Sequence, residues 1–191
     1  MLVDLTLRIT PQLRKLAEEN LKKASGGHLG THFDVMDKEF PLEYTRRHGV
    51  VFDISAIAAQ QRDVEIADID MARVQPDMFV GFASGFIEHK GYGSAEYFAE
   101  HPQLSHALIE ALAQRGISII GVDFSGVRCG KEHTAADQYC ADRGVFIVEN
   151  LGNMKTVADA GGDCIVNTYP LNFSHLTGLP CRVVAELDAA A

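Results

Sequence analysis

Positive charge is scarce in this 191-residue chain: 17 Lys and Arg stand against 26 Asp and Glu, for a formal net charge of −9. No basic run exceeds Lys22–Lys23 or Arg46–Arg47. The clustered cations that phosphate contacts require are therefore missing, which argues against a nucleic-acid partner. No apolar stretch reaches the roughly 18 to 20 residues needed to span a bilayer, and no basic-then-apolar leader opens the chain. A membrane partner is not expected, and a cytoplasmic location is. The four cysteines, Cys129, Cys140, Cys164 and Cys181, form no C-x-x-C pair and read as reduced thiols. No G-x-S-x-G elbow, G-x-x-x-x-G-K-[ST] loop or G-x-G-x-x-G fingerprint is present, so serine hydrolase, P-loop NTPase and classical Rossmann readings lose their main support.

What the chain does contain is enough apolar residue, 47%, to build a core without staples, and 17 glycines to punctuate many short elements. Its length suits one domain over residues 1–191. Val3–Ile9 alternates apolar with polar residues, the period of a half-buried strand. Thr10 and Pro11 then open a helix carrying Leu13, Leu16, Ala17, Asn20 and Leu21 at helical spacing, stopped by Gly26–Gly27. Val50–Ile54 and Met78–Ala83 are short β-rich runs that read as buried strands, with a loop and a short helix near Ile69–Val74 between them. A helix over Pro102–Arg115 leads into the strand Ile117–Val122, and a second over His133–Asp142 leads into Val145–Val148, which ends in Glu149. Helix alternating with strand predicts parallel pairing in this half. Cys164–Thr168 and Arg182–Leu187 supply closing strands.

The densest chemistry lies in Gly26-Gly27-His28-Leu29-Gly30-Thr31-His32-Phe33-Asp34, where two imidazoles and a carboxylate, all good ligands for a divalent metal, fall within seven positions. In a straight strand His28 and His32 would stand about 13 Å apart at roughly 3.3 Å per residue, too far for ligands each about 2 Å from one ion. A helix would put the histidines on one face but turn Asp34 away. The backbone has to fold back, and Gly26, Gly27 and Gly30 permit the positive φ or close approach that such a turn needs.

The string His28-x-Gly30-Thr31-His32-x-Asp34 resembles the H-x-G-T-H-x-D signature of the cyclase family, whose best-known activity is kynurenine formamidase. The likeness extends along the chain. Val3-Asp4-Leu5-Thr6 resembles the family's opening D-L-[ST] strand, Gly49–Asp53 its R-G-V-V-L-D strand, and Tyr97–Leu104 with Gly121–Asp123 its central part. Arg143–Leu151 resembles its G-[hydrophobic]4-E-N-L segment. The resemblance implies an α/β fold with a mixed sheet, of the swivelling β/β/α type, a zinc or manganese cofactor, and self-association as a homodimer or higher oligomer. It also implies that His28, His32 and Asp34 hold a first metal. A second ion would share Asp34 and add Glu149 and a histidine twelve residues before it. That position is Asp137, and the nearest histidine, His133, lies one helical turn earlier, so either residue or both complete the set.

The family pattern continues with a proline and a proton-transferring histidine, where this chain has Met36 and Lys38. Lys38 would serve as a base only if its pKa fell toward neutrality. His89, in the glycine-rich stretch Gly85–Gly93 after a strand, is the best-placed substitute by position in a loop; His48, His101, His106 and His175 have weaker cases. The catalytic candidates are thus His89, Lys38 and Glu149, and the expected function is hydrolysis of an amide, cyclic amide or ester of a small molecule. A binding role that keeps the metal without turnover, and a metal-assisted dehydration, remain as alternatives.

Overall fold

The computed structural model describes residues 1–19 and 24–187 of the chain. Eight strands form one sheet: β1 (Leu2–Asp4), β2 (His32–Asp34), β3 (Arg46–Asp53), β4 (Phe79–Ala83), β5 (Ile119–Val122), β6 (Phe146–Glu149), β7 (Asp163–Pro170) and β8 (Gly178–Glu186). Their order is β1-β8-β2-β6-β5-β4-β3-β7, and β7 also pairs with β8. The sheet therefore closes into a seven-stranded ring, with β1 laid on the outer part of β8. Closure leaves few exposed edges, the usual vulnerability of short strands.

The strands β3, β4, β5 and β6 are parallel neighbours, as the alternation of helix and strand predicts. β2, β8 and β7 complete the ring antiparallel. Of the expected strands, Ile117–Val122 is buried throughout, and Val50–Ile54 and Met78–Ala83 are buried except at Asp53, which is exposed, and Met78, which is half-buried. Val3–Ile9 differs from expectation: only Leu2–Asp4 pairs as a strand, followed by a single bridge from Thr6 to Leu151. The short helix near Ile69–Val74 is a pair of 3₁₀ turns, Ile66–Asp68 and Met71–Arg73. Thr10 does cap the helix Pro11–Glu19, its Oγ1 accepting from Leu13 N–H at 3.3 Å. Asn20 and Leu21 lie outside the described residues.

Two apolar clusters use the two faces of the strands. Val50, Phe52, Val80, Phe82, Ile120 and Val122 meet Leu104, Leu108 and Leu112 on the outside, where the helix His106–Gln114, capped by Ser105, covers the parallel strands. The other face collects Phe33, Val51, Phe79, Phe146, Val148, Val166 and Val183 from around the ring. This interior is narrow. A Cβ on Gly121 would stand 2.2 Å from the Phe79 ring, and one on Gly81 would stand 2.9 Å from it. The two glycines face each other in register across β4 and β5, so they form a floor on which Phe79 lies flat, a close approach that other residues would block.

The period of two then decides where the chemistry goes. Phe33 and Val148 point inward, so their strand neighbours His32, Asp34 and Glu149 point outward, and the helix His133–Ala141 crosses that outer face with Asp137 buried beneath it.

Candidate metal centre

Ahead of β2 the chain makes the reversal that the ligand spacing demands. Gly27 has φ +87° and Gly30 has φ +67°. A Cβ on Gly27 would fall 1.9 Å from the carbonyl oxygen of Gly178, so only glycine lets this loop lie against β8. The turn brings His28 over β2, while His32 and Asp34, two residues apart on one strand, already share a face.

The three side chains converge. His28 Nδ1 lies 3.0 Å from His32 Nε2 and 3.1 Å from Asp34 Oδ1, and His32 Nε2 lies 3.6 Å from the same oxygen. Ligand atoms at about 2.1 Å from a tetrahedral ion stand roughly 3.4 Å apart, which is the spacing found here. His32 Nδ1 is 2.8 Å from the Gly30 carbonyl. A carbonyl only accepts, so Nδ1 carries the hydrogen, and Nε2 is the nitrogen turned to the cluster, where its lone pair would be free for a metal once that nitrogen has lost its proton. His28 is turned by a hydrogen bond between Nε2 and Thr177 Oγ1, 2.8 Å.

A second group adjoins the first. His133 Nε2 is 3.3 Å from Asp137 Oδ2 and 3.4 Å from Glu149 Oε1, while the other Glu149 oxygen lies 3.8 Å from His32 Nε2. Asp34, His133, Asp137 and Glu149 each offer a ligand atom within 4.8 Å of the others. Asp34 belongs to both groups. Both residues left open by the spacing, His133 and Asp137, thus reach the cluster, one helical turn apart.

Electrostatics shows what the cluster requires. Asp34, Asp137 and Glu149 are all buried, and gathering three carboxylates away from water is costly unless cations balance them. Burial, reinforced by the charge of Asp34, pushes the Asp137 carboxyl up to about 9. Burial acts on Asp34 the same way, but the charges and hydrogen bonds of His32 and His28 outweigh it and hold this carboxyl well below the usual range. Asp34 Oδ2 and Asp137 Oδ1 are buried with no hydrogen-bond partner among the described residues. Two imidazoles, a shared carboxylate and orphaned acid oxygens fit one or two divalent cations in chemistry and spacing.

The other two catalytic candidates, Lys38 and His89, make different contacts. Lys38 is a surface cation bonded to Asp142 and Asp37, and those hydrogen bonds raise its pKa, opposite to what a neutral base needs. The stretch around His89 is not an open loop: Phe86–Lys90 is a short helix that leaves His89 exposed. His89 lines a cavity of about 570 Å³ with Ser55, Ser84, His101 and Cys129, and none of the six cluster residues lines it.

Sequence reasoning passed over the residues that hold the loop. Asn150, at φ +58°, donates from Nδ2 to the Gly30 carbonyl at 2.9 Å, and Tyr97 Oη donates to Asn150 Oδ1 at 2.8 Å. Asn150 stood in view beside Glu149, in the segment that carries the family likeness. Thr177 had no signal, because only tertiary contact brings it to His28.

The Cyclase family model matches residues 3–127, about two thirds of the chain and a span that includes all of the first ligand group. The chain belongs to this family. Among solved structures, isatin hydrolase A from Ralstonia solanacearum superposes with a TM-score of 0.74 at 16% identity, covering 97% of this chain and 91% of that one. Isatin hydrolase A from Labrenzia aggregata, bound to benzyl benzoate, gives 0.72 at 19% identity over 97% and 93%. A predicted metal-dependent hydrolase from Bacillus stearothermophilus gives 0.68 at 18% identity over 97% of each chain. At these identities the likeness is one of fold. The mixed sheet and α/β architecture implied by the cyclase resemblance are thereby shown. No curated protein gives a significant match. Among the described residues, no helix is long and apolar enough to cross a membrane.

Proposed function

We propose that this cyclase-family chain is a metal-dependent hydrolase of a small-molecule amide, cyclic amide or cyclic ester. The convergence of His28, His32 and Asp34 on one point, beside a second group that shares Asp34, carries the reading. His28, His32 and Asp34 would hold one ion, and Asp34, His133, Asp137 and Glu149 a second, zinc or manganese by donor type. When bound, such an ion supplies Lewis acidity toward a carbonyl oxygen and lowers the pKa of a water molecule.

The chain's own residues supply the rest. The Gly30 carbonyl fixes the His32 tautomer, and Thr177 fixes the His28 ring. Glu149 lies between two imidazoles, with one oxygen toward His32 and the other toward His133. It is therefore the carboxylate best placed to take a proton from an attacking water and return it to a leaving nitrogen. Lys38 is engaged by Asp37 and Asp142 instead.

The test is metal analysis of the purified protein, joined to a hydrolysis screen of N-formyl aromatic amides, lactones and lactams. Isatin belongs in the screen because two of the fold neighbours are named for it. Turnover that requires zinc or manganese is the expected result; protein that takes up neither metal would refute the reading. A second reading, metal binding without turnover, is favoured by Lys38 standing where the family pattern has its histidine. Stoichiometric metal with no hydrolysis across the screen would select it.

A further inference from the structure

The dipeptide Gly30–Thr31 sits directly ahead of His32 and is gripped by His32 and, from several other sides, by residues outside the cluster. The Gly30 N–H donates to Tyr92 Oη at 2.9 Å. The Gly30 carbonyl accepts from His32 Nδ1 at 2.8 Å and from Asn150 Nδ2 at 2.9 Å. Thr31 Oγ1 donates to the Asn150 carbonyl at 2.8 Å and accepts from Leu7 N–H at 2.8 Å. Asn150 thus holds this unit with both its side chain and its backbone.

The orientation of the Asn150 amide is itself decided. Tyr97, buried completely, donates its hydroxyl to Asn150 Oδ1 at 2.8 Å. The Gly30 carbonyl only accepts, so the nitrogen end of the amide must face it, and the oxygen end then takes the Tyr97 hydroxyl. A reversed amide would set two acceptors, Oδ1 and the carbonyl, against each other at Gly30. Asn150 also follows Glu149 directly and takes a left-handed φ of +58°, a conformation that asparagine tolerates better than most residues. One short segment thereby places a cluster carboxylate and locks the loop that presents the cluster histidines.

We propose that Asn150, oriented by Tyr97, is a positioning residue for the metal centre: it holds the Gly30 carbonyl where that carbonyl sets the tautomer and angle of His32. The inference rests on the metal reading above. Supporting hydrogen bonds of this kind are worth roughly 10- to 100-fold in metal affinity.

The test uses the full-length protein as Asn150→Asp, Asn150→Gly and Tyr97→Phe. Asp and Gly both tolerate positive φ, so backbone strain does not confound the comparison. Cobalt(II), a coloured stand-in for zinc, is titrated against a competing chelator, the melting temperature of metal-free protein is recorded, and the His32 ring nitrogens are followed by ¹⁵N NMR. Both Asn150 variants should bind cobalt roughly 10- to 100-fold more weakly, with an altered absorption spectrum and a mixed His32 tautomer. Tyr97→Phe should shift the same signals in the same direction by less. If all three variants melt lower but keep the wild-type cobalt affinity, spectrum and tautomer, Asn150 is structural only and the proposal fails. Wild-type protein that binds no cobalt would overturn the metal reading itself, an outcome seen before any variant is compared.

Discussion

His32 and Glu149 stand directly opposite each other in the register of β2 and β6, and their side chains leave the same face with Nε2 and Oε2 3.8 Å apart. A strand from the start of the chain and one from near its end thus meet at a single pair of chemically active residues. His32→Ala removes the central ligand and leaves Asp34 with a weaker hold. Metal content should fall by at least one equivalent, with loss of any hydrolysis; elemental analysis showing full metal in the variant would misplace the site.

Glu149→Gln keeps volume and an acceptor oxygen but removes the charge. If Glu149 is a ligand or proton carrier, this variant should lose the second ion or most turnover, while its circular dichroism matches that of the wild type. His133→Ala and Asp137→Asn, made separately, assign the remaining ligand. Wild-type metal content and rate in all three would restrict the centre to His28, His32 and Asp34.

The same crowding of acids predicts a trade between stability and metal affinity. In metal-free protein Asp137 faces the charge of Asp34, and burial pushes its carboxyl up to about 9. Asp137→Asn cannot ionise, so it should relieve a cost that grows as pH rises from about 4 toward about 9 and stabilise the metal-free form over that range, yet weaken metal binding. Denaturant titrations with and without zinc separate the two effects, and a variant less stable than wild type in both would contradict the account.

Asp123 supplies a pH prediction away from the cluster. Burial pushes its carboxyl up to about 7, against the hydrogen bonds it accepts from Ser84 and Gly85. Between about pH 4 and pH 7 the folded protein then holds a proton that the unfolded chain has released, so this group's contribution to stability declines as pH rises through that window. Asp123→Asn cannot ionise and should flatten the decline. Parallel curves of unfolding midpoint against pH for the two proteins would refute it.

The ring interior is tested at Gly121. Adding a methyl group 2.2 Å from the Phe79 ring forces strand or ring to move, and Gly121→Ala should cost roughly 1–3 kcal/mol. An unchanged unfolding midpoint would mean that the floor under Phe79 yields freely.

Self-association, expected from the family resemblance, remains a proposal. Light scattering coupled to size-exclusion chromatography should give a multiple of the 20.8 kDa chain mass; a monomer at high concentration would remove it.

Periodicity and punctuation were enough to locate the parallel strands and the helices that alternate with them, because both are set by local sequence. The His28–Asp34 segment pointed to a candidate metal centre because three potential ligands in seven positions, with glycines that allow the chain to reverse, are a local property too. Closure of the ring was not legible, since the pairing of β7 with β8 depends on twist summed over all the strands. The choice between His133 and Asp137 could not be made by counting residues: spacing cannot say whether one helical turn brings two side chains to a strand, and packing brings both. Lys38 and His89 were chosen by position in the chain, but their surroundings, an acidic surface pair for Lys38 and a short helix for His89, are set by the tertiary fold. The roles of Asn150, Tyr97 and Thr177 became visible only in the fold, because hydrogen bonds joining residues 53, 120 and 149 positions apart leave no pattern in either stretch of sequence.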